Sequence, residues 1–126
     1  ILLSGGRNAG VMDEASKGAK SAGGLTVGII PSKNKSDTSE AVDVVIITGM
    51  GSARNYINIL SSDIVIACGM EAGTASEVAM ALKEKKKVVL LTDNSEANIF
   101  FKKLNPELVS IVSTPQEAIE KTETLL

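Results

Sequence analysis

The stretch IACGMEAGTASEVAMALKEKKKVVLL, residues 66–91, decides the fold. A β-branched apolar run stops at Gly69. Gly73 and Thr74 follow, and an alanine-rich segment then leads into a second apolar run, KVVLL. Two such runs joined by a helix can pair only in parallel, because the crossover returns the chain to the same end of the sheet. Thr74 reads as the N-cap of the helix and Glu77 as its third residue, a capping box. A cap of this kind is worth about 1 kcal/mol, so a structural explanation of Glu77 stands beside any functional one.

The same alternation extends in both directions. Strands are expected at 1–3, 25–30, 43–48, 63–68, 87–92 and 109–112, each a nearly continuous apolar run of the kind buried on both faces. Helices are expected at 9–21, 52–61, 74–85, 95–103 and 115–125. The first places Val11, Met12, Ala15 and Ala19 on one face. The second does so with Ala53, Tyr56, Ile57 and Leu60, and the third with Ala75, Val78, Ala79 and Leu82. The last opens on Thr114 as N-cap, Pro115 at the first helical position and Glu117 three residues on. Residues 31–42, PSKNKSDTSEAV, have no apolar periodicity and read as a mobile loop. The fold class is therefore α/β, a Rossmann-like three-layer arrangement of a parallel sheet with helices on both faces.

Composition removes several classes of function. The 126 residues amount to one domain. A formal net charge of -2 and three aromatic residues argue against nucleic acid or a membrane surface as partner. The chain has no histidine, which rules out Ser-His-Asp and Cys-His nucleophiles and the usual zinc sets, so no metal site is expected. Cys68, the one cysteine, forms no internal disulfide and suits a reducing, cytoplasmic compartment. No apolar run is long enough to span a bilayer.

Ligands of open α/β sheets bind off the carboxyl ends of the strands, where helix N-termini point. Three loops belong there. SGGRNAGVM carries Gly5, Gly6, Arg7, Gly10, Val11 and Met12. TGMGSARN carries Thr48, Gly49, Gly51, Ser52, Arg54 and Asn55, with Ser52 able to cap the helix that follows. The third holds Gly69, Met70, Gly73, Thr74 and Glu77. Glycines there let amides crowd towards an anion, although tight turns use glycine equally often. Arg54 falls in the first turn of a helix, where the dipole disfavours a cation by roughly 0.3–1 kcal/mol, so it calls for a partner. The expectation is that all three loops converge on one crevice, with Arg54 and Glu77 facing it.

The fragments GGRNAGVM, GMGSARN and GMEAGTASE resemble the LOG-like (SLOG) family of Rossmann proteins, formerly labelled lysine decarboxylases. Its enzymes are nucleoside 5'-monophosphate phosphoribohydrolases with a Pro-Gly-Gly-x-Gly-Thr-x-x-Glu signature, to which Gly73, Thr74 and Glu77 correspond. Within the family the chain looks most like the molybdenum cofactor carrier branch, through Gly69-Met70, GSAR, GVM and SEAVD. The resemblance implies a single domain over 1–126 lacking the family's first strand and helix, a homodimer or homotetramer, and a small anionic ligand. For the carrier branch that ligand is the molybdenum cofactor. For a hydrolase it would be AMP or a cytokinin monophosphate, with Glu77 and Arg54 catalytic and the carboxylate steadying an oxocarbenium-like transition state. A third reading is a regulatory member that binds another nucleotide.

One departure separates these readings. Gly69, Met70 and Glu71 stand where the hydrolases have Pro-Gly-Gly, so two amide-exposing residues are lost. Glu71 adds a negative charge that repels a neighbouring anion by roughly 1 kcal/mol in water and roughly 4 kcal/mol when partly buried, which counts against both readings, whereas the loss of Pro-Gly counts only against the hydrolase.

Overall fold

The computed structural model describes residues 1–126. Every expected strand and helix forms. In order they are β1 (Leu2–Ser4), α1 (Gly10–Ser21), β2 (Thr26–Ile30), β3 (Val44–Ile47), α2 (Arg54–Ser61), β4 (Ile64–Cys68), α3 (Ala72–Lys83), β5 (Lys87–Leu91), α4 (Ser95–Leu104), β6 (Val109–Val112) and α5 (Pro115–Leu125). A 3-10 turn at Gly51–Ala53 leads into α2. All pairing is parallel, in two three-stranded sheets ordered β1-β2-β3 and β4-β5-β6. The chain divides into two compact units, Ile1–Asn58 and Ile59–Leu126.

The second unit is built around β5. Val88, Val89 and Leu90 are wholly buried there, each worth about 1.5–3 kcal/mol of transfer free energy. Alternation sorts them by face. Val88 and Leu90 join a core with Ile59, Val78, Ala81, Leu82 and Phe101. Val89 packs with Val112 and Ala118 beneath α5. This sheet is therefore covered on both sides, by α3 and α4 on one and α5 on the other.

The stripe that α3 buries is Val78, Ala81 and Leu82 with Ala75 alongside, whereas Ala79 is exposed. Lys85, at φ 58, ends the helix as glycine usually does, with Lys86 N–H donating to Ala81 O and Lys85 N–H to Leu82 O. The lysines beyond it cap other helices: Lys86 Nζ reaches Leu60 O and Lys87 Nζ reaches Leu125 O. Thr114 caps α5 by accepting from Glu117 N–H, as its sequence implied. Glu117 returns to Ser113 N–H, one residue outside the usual box.

In the first unit β2 is central, and Thr26, Ile29 and Ile30 are buried. Three expectations fail here: β3 is not buried on both faces, since Val44, Ile46 and Ile47 are exposed, and the helices depart as follows. On α1 the buried position is Ser16, and Val11 is exposed. On α2 the stripe Ala53, Tyr56 and Leu60 faces solvent, while Arg54 and Ile59 are buried. A short helix fixes its phase by its few anchors, and the 3-10 turn rotates α2 away from the phase that simple periodicity gives.

Residues 31–42 contain no helix or strand, but they are tied down. Asn8 N–H donates to Asp37 O, Ser39 N–H donates to Gly6 O, and Ser39, Ala41 and Val42 are buried. Unpatterned composition concealed these anchors because each depends on a partner distant in sequence.

Asp43 holds the start of β3 against β2. Its Oδ2 accepts from Thr26 N–H at 3.0 Å and lies 2.9 Å from Thr26 Oγ1, and Lys20 Nζ is 2.9 Å from Oδ1. The Lys20 contact, then the Thr26 bonds, hold this carboxyl below its usual range. A carboxyl depressed by folding stabilises the native state above its unfolded value, and this is lost as pH falls through the folded value. Asp43→Asn is therefore expected to lower the melting temperature at neutral pH. It should also flatten the loss of stability of the parent below about pH 4, as followed by circular dichroism melts across pH.

Candidate functional site

In the first unit the loop from β1 to α1 is compact. Ser4 Oγ accepts from Gly6 N–H at 3.0 Å and Asn8 N–H is bonded to Asp37, so these two amides are committed within the chain. Gly5 packs beneath a guanidinium: a Cβ there would lie 2.6 Å from Arg54 Nη2 and 2.6 Å from Met12 Sδ. The structure thus brings Gly5, Met12 and Arg54 together. Gly6, at φ 72, lies against Gly28, where a Cβ would meet the Gly28 Cα at 2.9 Å. Arg7 is exposed and bridges to Thr38 through its backbone. Gly10 opens α1 with open space at its Cα, and Ala9 before it supplies no side-chain cap. Asp13 is bound to Lys17 at 2.7 Å and Ser39 Oγ at 2.6 Å; those two contacts, Lys17 first, hold its carboxyl low.

The second loop does not offer the amide cradle that its glycines implied. Thr48 N–H points to Ile30 O, Gly49 N–H to Ser32 O, Met50 N–H to Thr48 Oγ1 and Gly51 N–H to Pro31 O. Its glycines serve the turn itself, at φ 62 and 57. Ser52 lies within the 3-10 turn and does not cap α2. Arg54 occupies the first position of α2, as the sequence implied, and is only 8% exposed, with Nη1 donating to Asn55 Oδ1. What this loop contributes is therefore a buried cation.

The third loop, in the second unit, departs from the expected capping. Gly69, at φ 74, turns the chain, Glu71 is extended, and α3 begins at Ala72, two residues before the expected start. The N-cap is Glu71, and its side chain caps nothing. Thr74 is thus third in the helix and Glu77 sixth, half-buried in the second turn, so the capping box does not form. The first helical bond runs from Ala75 N–H to Glu71 O. The N–H groups of Ala72, Gly73 and Thr74 find no acceptor in the chain, and beyond Gly73 there is open space. In the same unit α4 and α5 are capped by Asn94 and Thr114. Met70 packs partly against the core, so it is at least half structural. Burial pushes the Cys68 thiol up, which disfavours a reactive thiolate.

Beside this loop lies a cavity of about 360 Å³ lined by Gly69, Leu91, Thr92, Asp93 and Ser113. Apart from Gly69, sequence reading did not single these residues out. The available signal was a fourth strand end, LLTDNSEA, with polar residues between an apolar run and a helix.

Two adjacent glycines give a sharp test of this packing. Alanine at position 5 meets only the ends of the flexible Arg54 and Met12 side chains, so the fold should survive with the guanidinium displaced. Alanine at position 6 meets backbone and must hold a left-handed conformation, at a cost of roughly 1–3 kcal/mol. Urea denaturation is expected to rank Gly6→Ala as clearly the less stable of the two.

The sequence pattern of the SLOG cluster4 family matches residues 1–119. An uncharacterised protein from Archaeoglobus fulgidus is 50% identical over 91 residues, which cover 72% of this chain and 59% of that protein, so the match spans less than two thirds of its length. Among solved structures, the molybdenum cofactor binding protein of the phototrophic bacterium Rippkaea orientalis is 55% identical with a TM-score of 0.94, covering 98% of this chain and 76% of that one. The molybdenum cofactor carrier protein of Chlamydomonas reinhardtii is 52% identical with a TM-score of 0.90, covering 99% and 77%. A match that runs across nearly the whole chain, with the same fold at this identity, places the protein plainly: it belongs to the SLOG cluster4 family.

Proposed function

We propose that this chain binds and carries a molybdenum cofactor-type ligand, an anionic pterin. The observation that carries the reading is the start of α3. There, three amides behind the Gly69-Met70 turn have no acceptor, in a chain more than half identical to proteins that bind or carry that cofactor. The residues fit such a group. Open helix N-terminal amides suit a phosphate, and Met70 beside them offers apolar surface. The cofactor, when bound, supplies the redox-active metal and its sulfur ligands; the protein's part is to hold and shield it. Residues 1–126 are taken as one domain, since the family match runs unbroken across both units. A reducing, cytoplasmic setting suits the lone thiol, and no helix is long and apolar enough to cross a membrane.

Purified protein loaded with released cofactor should retain it through gel filtration and slow its oxidation. Gly73→Asp separates binding from folding: an acid in the first turn favours the helix by roughly 0.3–1 kcal/mol yet repels an anion. Retention is expected to fall about tenfold with no loss in melting temperature. Absence of retention by the parent chain would overturn the reading. Incubation with AMP is expected to give no free adenine, whereas release abolished by Glu77→Ala would replace carriage with hydrolysis.

A homodimer or homotetramer is the assembly we infer. It is supported by the exposed apolar side chains Val44 and Ile46 on β3 and Tyr56 and Leu60 on α2, which a second copy would cover. Light scattering should give a mass of two or four chains, and a monomer at micromolar concentration would count against it.

A further inference from the structure

The cavity at the carboxyl ends of β4, β5 and β6 differs in chemistry from the start of α3. Its charged group is the carboxylate of Asp93, and its other polar side chains are the hydroxyls of Thr92 and Ser113, with Leu91 and Gly69 completing the wall. None of the usual structural duties employs Asp93. The cap of α4 is Asn94, which accepts from Ala97 N–H at 3.0 Å, and Asp93 takes part in no ion pair. Thr92 is fixed from two sides: its carbonyl accepts from Asn98 Nδ2 at 3.1 Å and its Oγ1 accepts from Asn94 N–H at 3.2 Å. Its hydroxyl donates no hydrogen bond within the chain. Ser113 is pinned through its backbone, N–H to Glu117 Oε2 at 2.7 Å, which leaves its hydroxyl available.

This set sorts ligands by charge and by hydrogen-bonding sense. A phosphate is repelled by Asp93, at roughly 1 kcal/mol for charges about 4 Å apart even in water. A divalent cation finds too few ligands, for no three acidic or thiol groups gather anywhere in the chain. What the carboxylate suits is a neutral group presenting two adjacent N–H donors, matched by its two oxygens as in an arginine–carboxylate fork. The amino-pyrimidinone edge of a pterin has that guanidine-like pair, and the cavity volume lies within the range of small-molecule sites.

We propose that Asp93 reads the amino-pyrimidinone edge of a pterin-type ligand in this cavity, with the Thr92 and Ser113 hydroxyls beside the ring and the anionic tail excluded from it. This rests on the carrier reading and specifies which end of the ligand the second unit recognises. The hydroxyls supply hydrogen bonds to ring nitrogens or the carbonyl, and Leu91 supplies apolar surface.

Two fluorescent probes without phosphate test it: 6-hydroxymethylpterin, and 6-hydroxymethyllumazine, in which oxygen replaces the 2-amino group. The parent protein is expected to bind the pterin about tenfold or more tightly over the lumazine, the range for a hydrogen bond to a charged group. Asp93→Ala should bind both equally with melting temperature unchanged, and Asp93→Asn should fall between. Equal affinity for the two probes in the parent, or a preference that survives in Asp93→Ala, would overturn the inference. If the parent retains cofactor while showing no pterin preference, this inference fails and carriage stands. If it prefers the pterin but retains no cofactor, carriage fails and the cavity keeps its role. If it binds neither, both fall.

Discussion

Parallel pairing of β4, β5 and β6 is the constraint on which the second unit depends. Parallel strands need crossovers, and each crossover helix must cover a face of the sheet it leaves. The wholly buried Val88, Val89 and Leu90 require cover on both faces, which α3, α4 and α5 provide. The same geometry delivers the N-terminus of every one of these helices to the carboxyl edge. A row of helix N-termini along one edge thus follows from burying an apolar strand on two sides, before any functional residue is chosen.

The unit then differentiates three equivalent helix starts by their caps. Asn94 and Thr114 satisfy α4 and α5 with side-chain oxygens, while α3 starts behind a glycine turn and leaves its amides open. Capping contributes about 1 kcal/mol, so an open start is a local loss that packing of Val78, Ala81 and Leu82 readily outweighs. Next to the open start, Asp93 places a carboxylate in the wall of the neighbouring cavity. The carriage we propose would therefore use an open helix start and the Asp93 carboxylate side by side within one unit.

Much of this was legible in the sequence. Apolar runs gave the strands, through burial on both faces at β5, although β3 is just as apolar and largely exposed; β6 and α5 fall on the expected residues. The position of Arg54 at the head of α2 was also readable from the chain alone. What escaped depends on backbone direction. The pattern Thr-x-x-Glu at Thr74 and Glu77 is a valid capping box only if the helix starts after Thr74, and Gly69 moves the start to Ala72. Likewise Gly49 and Gly51 looked like anion-binding glycines, yet their amides answer to Ser32 and Pro31, residues placed by a loop with no periodic signal. Thr92, Asp93 and Ser113 went unnoticed because they converge from two separate strand ends and share no motif.

Glu71 is the residue whose meaning the structure changes most. Read from the sequence, its charge could weaken anion binding by as much as roughly a thousandfold if it pointed into a buried site. It is in fact exposed at the N-cap of α3, with its side chain bonded to none of the helix amides. An exposed carboxylate acts through water, where the repulsion at about 4 Å is roughly 1 kcal/mol and is screened further within a Debye length of about 8 Å. The residue also gains from lying at the positive end of the helix, a favourable term of similar size. At the site we propose it would therefore lower anion affinity by less than about tenfold, and it leaves the α3 amides uncovered. A capping side chain would have removed those donors altogether, whereas an outward-facing glutamate only moderates them.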